Sequence, residues 1–154
     1  MKKIIATIVI ILMAVTTIGQ NFNITNPKIA NVSYKIGEVT MKSEDCNASL
    51  VINRDNNVCH VNCDFYFVIK EESEYVEIPD KIDTTHKSIN GNFSVLTRKD
   101  GSGYVLTNDE NKILIDKIDG YKGCKYRIEF HINKTTIKYK GRSVNAKITL
   151  ILMD

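Results

Sequence analysis

The sequence predicts an all-β protein, an antiparallel β-sandwich. Three observations carry this expectation. Apolar and polar residues alternate with period two in several runs, as strands with one buried and one wet face require. Clusters of Asn, Asp and Gly separate these runs at roughly the 8–12-residue spacing of sandwich strands. No run after the first twenty residues has a helical period.

Lys2 and Lys3 precede an uncharged, mostly apolar stretch from Ile4 to Ile18, and Gly19 suits the position before a cut. This layout predicts a secretory signal peptide over residues 1–19, with no membrane span after its removal. Residues 20–36 form an N-terminal arm or first strand. Phe22, Ile24, Ala30, Val32, Tyr34 and Ile36 share one phase, interrupted at Asn26 and Lys28 and followed by Gly37. Residues 37–154 form a single sandwich domain.

Within that domain a short strand is expected over Glu38–Lys42. Ala48–Ile52 and Val58–Lys70 flank Asn53-Arg54-Asp55-Asn56-Asn57, a hairpin pattern. Glu74–Ile78 reads as a strand stopped by Pro79, and Asp80–Asn90 as a polar connection that holds His86. Asn92–Thr97, Tyr104–Thr107 and Lys112–Ile118 follow as strands, parted by turn sequences around Gly101 and Asn108. The closing pair is the clearest. Cys124, Tyr126, Ile128, Phe130 and Ile132 alternate with Lys125, Arg127, Glu129 and His131. Val144, Ala146, Ile148, Leu150 and Leu152 alternate with Asn145, Lys147 and Thr149. A short basic link, Asn133–Arg142, is expected between them.

The formal charge is +3. Without Lys2 and Lys3 it is +1, which argues against nucleic acid as a partner. Acidic residues from Glu71 to Asp83 and basic residues from Lys134 to Lys147 form two separated clusters, read as solvated faces or as a polar contact between copies. Four cysteines in an exported chain read as two disulfides. Cys59 and Cys63 lie on one strand, about 13 Å apart at 3.3 Å per residue, too far to bond. A turn centred at Arg54–Asp55 sets Cys46 opposite Cys63 and leaves Cys59 for Cys124, whereas a turn shifted toward Asn57 weakens this pairing and leaves the other connectivities open. Zinc at Cys59-x-x-x-Cys63 would need two further ligands, and no metal or cofactor is expected.

No catalytic residues are assigned. His60, His86 and His131 stand alone, outside any metalloprotease or nucleophile-elbow context. Asp100-x-Ser102 and Asn108-Asp109-Glu110 lack the spacing of an EF-hand calcium loop. Five Asn-x-Ser/Thr sequons occur, at Asn23, Asn31, Asn47, Asn92 and Asn133, where about two would arise by chance; the excess points to a glycosylated secreted protein, while the Met-Lys-Lys start and the Ile-, Lys- and Asn-rich composition point rather to an AT-rich bacterium.

The ending Tyr139-Lys140-Gly141-Arg142-Ser143-Val144, running into Ala146–Leu152, resembles the end of chaperone–usher fimbrial subunits. Phe65–Ile69 followed by Tyr75–Pro79 is similar to their central strands. The resemblance implies an incomplete immunoglobulin-like sandwich whose groove takes a neighbour's arm by strand addition. Phe22, Ile24, Ala30 and Val32 would then form the arm. Val144, Ala146, Ile148, Leu150 and Leu152 would wall the groove and meet a periplasmic chaperone. The expected function is therefore an exported, non-enzymatic structural or adhesive subunit in the periplasm or at the cell surface, partnered by copies of itself. The alternative is a secreted module holding a lipid or other apolar ligand among Phe65, Phe67, Tyr126, Ile128 and Phe130.

Overall fold

The computed structural model describes residues 21–71, 81–98 and 103–154. The expected signal peptide and the strand at Glu74–Ile78 lie outside them. The described residues are all-β, with ten strands: β1 (Phe22–Ile24), β2 (Ile29–Ile36), β3 (Val39–Ser43), β4 (Cys46–Asp55), β5 (Val58–Glu71), β6 (Lys81–Thr97), β7 (Gly103–Thr107), β8 (Asn111–Lys117), β9 (Tyr126–Tyr139) and β10 (Arg142–Met153). They form one antiparallel sheet in the order β1-β4-β5-β6-β7-β8-β9-β10-β2-β3.

That sheet folds back on itself into two layers. Tyr34 of β2 meets Phe67 of β5 with ring centroids 5.5 Å apart. Phe93 of β6 meets Phe130 of β9 edge-on at 6.0 Å. β1, β4, β5 and β6 therefore cover β9, β10, β2 and β3, while β7 and β8 turn the corner. Seven consecutive strands, β4 to β10, run as a meander, whereas an immunoglobulin domain has Greek-key connections. One core joins the layers. It includes Leu50, Cys63, Phe65, Phe67, Ile113, Phe130 and Leu150, each at most 1 % exposed.

The alternation read from the sequence explains most of these elements. On β5, Cys59, Val61, Cys63, Phe65, Phe67 and Ile69 are all buried. On β10, Ala146, Ile148, Leu150 and Leu152 are buried as well.

Three expectations are corrected. The first concerns the turn between β4 and β5. It lies at Asn56-Asn57, because Arg54 and Asp55 still pair with Cys59 and Val58. Asn56 takes φ 55°, a left-handed conformation that Asn tolerates better than most residues. Cys46 consequently faces Phe67, and Cys63 faces Leu50. The two cysteines stand four residues out of register, roughly 13 Å along the hairpin, so the expected Cys46–Cys63 bond has no geometry to form.

The second correction is that Asp80–Asn90 is no loop from Lys81 onward. It is the first part of β6, paired with β5 from Glu71↔Lys81 to Val58↔Ser94. Its inward phase includes Thr85 and Lys87, which hide the alternation, and the long apolar partner β5 supplies the burial. Third, the link Asn133–Arg142 is mostly strand. β9 runs on to Tyr139, with Ile137 buried against Val144. The turn is only Lys140-Gly141, with φ of 51° and 71°, as a two-residue hairpin requires.

Candidate functional site: the open sheet edge

The segment 20–36, expected as an N-terminal arm or first strand, divides from Phe22 onward between β1 and β2, which lie in different parts of the sheet. Phe22 and Ile24 lie on β1, which pairs with β4 through Phe22↔Ile52, Asn23↔Val51 and Ile24↔Leu50. Ala30 and Val32 lie on β2, paired with Leu152 and Leu150 of β10. The arm thus completes its own domain. Phe22 and Ile24 are 6 % and 5 % exposed, and Phe22 packs edge-on against Tyr126 and Tyr104.

β1 is shorter than the strand it covers. β4 has ten residues and β1 three, so among the described residues no strand pairs with Cys46–Ser49 on the side away from β5. Strand backbone groups alternate in direction. The Arg54 amide donates to Asn21 Oδ1 at 3.0 Å on the β1 side, so the amides of Ile52, Leu50 and Ala48 point the same way. Beyond Ala48 that direction opens into a groove of about 730 Å³ whose lining includes Pro27, Lys28, Ala30, Asp45, Cys46 and Tyr66.

The groove is firmly framed. Lys28 Nζ donates to the Gly123 carbonyl at 2.8 Å. The Val68 amide donates to the Asp45 carbonyl at 3.0 Å, and Ser43 Oγ donates to the Val68 carbonyl at 2.7 Å. These bonds hold the β1–β2 crossing and the β3–β4 corner against the body, so the gap between them is built into the fold. β3 supplies the other free margin, where Val39 is 60 % exposed.

The remaining predicted residues are placed as follows. Val144, Ala146, Ile148, Leu150 and Leu152 lie on β10, which is paired with β9 on one side and, over Lys147–Met153, with β2 on the other. Its backbone offers no free edge there. Phe65, Phe67, Ile128 and Phe130 are core residues at 0–1 % exposure; Phe65 and Phe67 stack on each other, and Tyr126 packs on Phe22. Sequence reasoning missed the uncovered part of β4 because it depends on where β1 stops.

The four cysteines are free thiols. Burial pushes Cys46 up to about 11. Burial first, then the neighbouring Asp64 and last Cys46 further along the hairpin, pushes Cys63 up to about 12. Thiols held protonated are poor nucleophiles and poor metal ligands. The histidines are apart on the outer surface. His60 Nδ1 contacts Asn92 Oδ1, His86 Nε2 lies 2.9 Å from Asp64 Oδ1, and His131 Nε2 lies 2.9 Å from Glu129 Oε1. Among the described residues no group of three or more His, Cys, Asp or Glu side chains could hold a metal ion. Asn108 Oδ1 accepts from the amides of Glu110 and Asn111 at 3.0 and 2.7 Å, which makes this segment an Asx turn. Asp100-x-Ser102 lies outside the described residues.

Among the described residues no helix is long and apolar enough to cross a membrane. Comparison with protein-family models, with curated proteins and with solved structures finds no match to this chain.

Proposed function

We propose that this protein is an exported, non-enzymatic structural or adhesive subunit that works through strand-to-strand contacts, with copies of itself as partners. The observation that carries the reading is the half-covered edge of β4. Beyond the end of β1, Ala48 has no paired strand on that side among the described residues, and a strand edge left without a partner is a template for another strand, where main-chain hydrogen bonds supply the affinity of strand addition. The arm residues Phe22 and Ile24 already fill the neighbouring part of that edge within one chain. Exchange of this segment between copies would link subunits without any new chemistry. The signal-peptide layout and the fimbrial resemblance of the closing strand support a site of action in the periplasm or at the cell surface.

Locking the arm tests the reading. Asn23 and Val51 face each other across β1 and β4, in a pair whose amides point away from the shared boundary, the closer of the two antiparallel pair types. The double variant Asn23→Cys, Val51→Cys should close a disulfide on oxidation. Light scattering over a concentration series should show the unaltered chain assembling, the oxidised variant remaining monomeric, and reductant restoring assembly. An oxidised variant that assembles as well as the unaltered chain would refute arm exchange.

A further inference from the structure

The five sequons do not sit alike in the fold. Asn23, Asn47 and Asn92 are exposed, and they share the outward phase of β1, β4 and β6. The register joins them into one surface. Asn23 faces Val51, Asn47 faces Tyr66, and Asn92 faces His60. With strands about 4.8 Å apart and about 3.3 Å per residue, the three acceptors lie roughly 14–22 Å from one another, which leaves each room for its own chain of sugars. Asn31 is half-buried beside Ile151. Asn133 is exposed as well, but its side-chain Nδ2 donates to the Glu110 carbonyl at 2.8 Å.

The surface around the three differs from the opposite one. Between Asn47 and Asn53 on β4, His60 and Tyr66 on β5, and His86 and Asn92 on β6, the outward residues are mostly Asn and Ser. The one acidic group, Asp64, is paired with His86. The outward face of β8 and β9 carries Lys112, Asp116, Arg127 and Glu129 instead. A neutral amide- and hydroxyl-rich surface suits sugar hydroxyls, which need donors and acceptors and no counter-charge. Local contacts leave the acceptor nitrogens accessible. His60 engages Asn92 through Oδ1, and Asn47 Nδ2 has only a long 3.4 Å contact to the Tyr66 hydroxyl.

We propose that Asn23, Asn47 and Asn92 are N-glycosylation sites, and that the outer face of β1, β4, β5 and β6 is the glycan-bearing face of the protein. The co-reactant is a lipid-diphosphate-linked oligosaccharide. The side-chain Nδ2 forms a bond to the anomeric carbon of the first sugar, the bond from that carbon to the diphosphate oxygen breaks, the lipid diphosphate leaves, and the Nδ2 proton is released to base. No oxidation or reduction is involved. The inference rests on the export reading only in requiring the chain to reach a compartment that holds this donor.

The full chain is expressed in a eukaryotic secretory cell behind its own leader and, in parallel, behind a leader of the host. Treatment with a peptide N-glycosidase converts each occupied Asn to Asp, which peptide mass spectrometry reads. Conversion at Asn23, Asn47 and Asn92 is expected. Each single Asn→Gln variant should remove one step from the gel-mobility ladder, and the triple variant should lose all of them. Absence of conversion in both forms, or conversion confined to Asn31 and Asn133, overturns the assignment. A chain secreted by its own leader yet unmodified would end the glycan proposal and leave export standing. A chain modified only behind the host leader would do the reverse.

Discussion

The ring of Phe22 stands edge-on to that of Tyr126, with 5.2 Å between centroids and an interplanar angle of 89°. A second edge contact, to Tyr104, spans 6.2 Å. A three-residue strand makes few ladder bonds, and so short a pairing is marginal in isolation. These aromatic contacts, with Ile24, hold β1 in place. Phe22→Ala should therefore cost about 3 kcal/mol, read from urea unfolding. Asn23→Ala, on the outward side of the same strand, should stay within about 0.5 kcal/mol. Equal effects from the two would show that the arm is not part of the core.

Thr85 tests the polar inward phase of β6. It is 6 % exposed, sits opposite Phe67, and its Oγ1 has no hydrogen-bond partner. An unpaired buried hydroxyl costs about 1–3 kcal/mol. Valine keeps the branched shape that strands favour and removes that cost. Thr85→Val should raise the unfolding midpoint by an amount equivalent to about 1 kcal/mol, while Thr85→Ala should lower it by opening a void.

Gly103 is set by close approach of backbones. It begins β7 opposite Asp116, and a Cβ there would overlap the carbonyl oxygen of Ile115. The obstacle is backbone, which cannot swing aside as a side chain can. Gly103→Ala should destabilise by about 1–3 kcal/mol, the usual cost of overpacking. Gly120→Ala meets nothing within 4 Å but carries φ of 68°. It should lose about 1 kcal/mol, through backbone conformation alone. Thermal unfolding of the pair separates the two causes.

The hairpins show how much of this fold can be read from residue order. β5 and β10 are legible because every second residue is apolar and a one-residue slip would turn that whole set to water. β6 is not, since Thr85 and Lys87 occupy its inward phase and its strand character comes from pairing with β5. The β4–β5 turn lies two residues beyond the expected place, and the register four, for a different reason. Asn53 to Asn57 is all turn chemistry, and only the left-handed Asn56 marks where the chain reverses. The candidate site was legible in part. Phe22 and Ile24 alternate as an arm should, but the free part of β4 depends on the length of β1, which local pattern does not encode.

The buried thiols predict how stability depends on pH. In the folded chain burial raises Cys63 to about 12 and Cys46 to about 11, and burial also raises Cys59 and Tyr104. In the unfolded chain a thiol titrates near its ordinary value of 9.0. A folded-state pKa above the unfolded one means the folded chain holds its proton longer. The resulting stabilisation is complete below pH 9.0 and is lost as pH rises through 11 and 12. Urea midpoints measured under reducing conditions should therefore change little between pH 7 and pH 8.5 from this source, then fall steeply above pH 9. Cys63→Ala removes the largest of these shifts and should flatten that alkaline fall, although it lowers stability at pH 7 by leaving a small void. In the same pH 7–8.5 range Cys63, at 0 % exposure, should resist a thiol reagent until the chain is unfolded. Rapid labelling of Cys63 in the native protein, or an unchanged alkaline slope in Cys63→Ala, would contradict this account of the core.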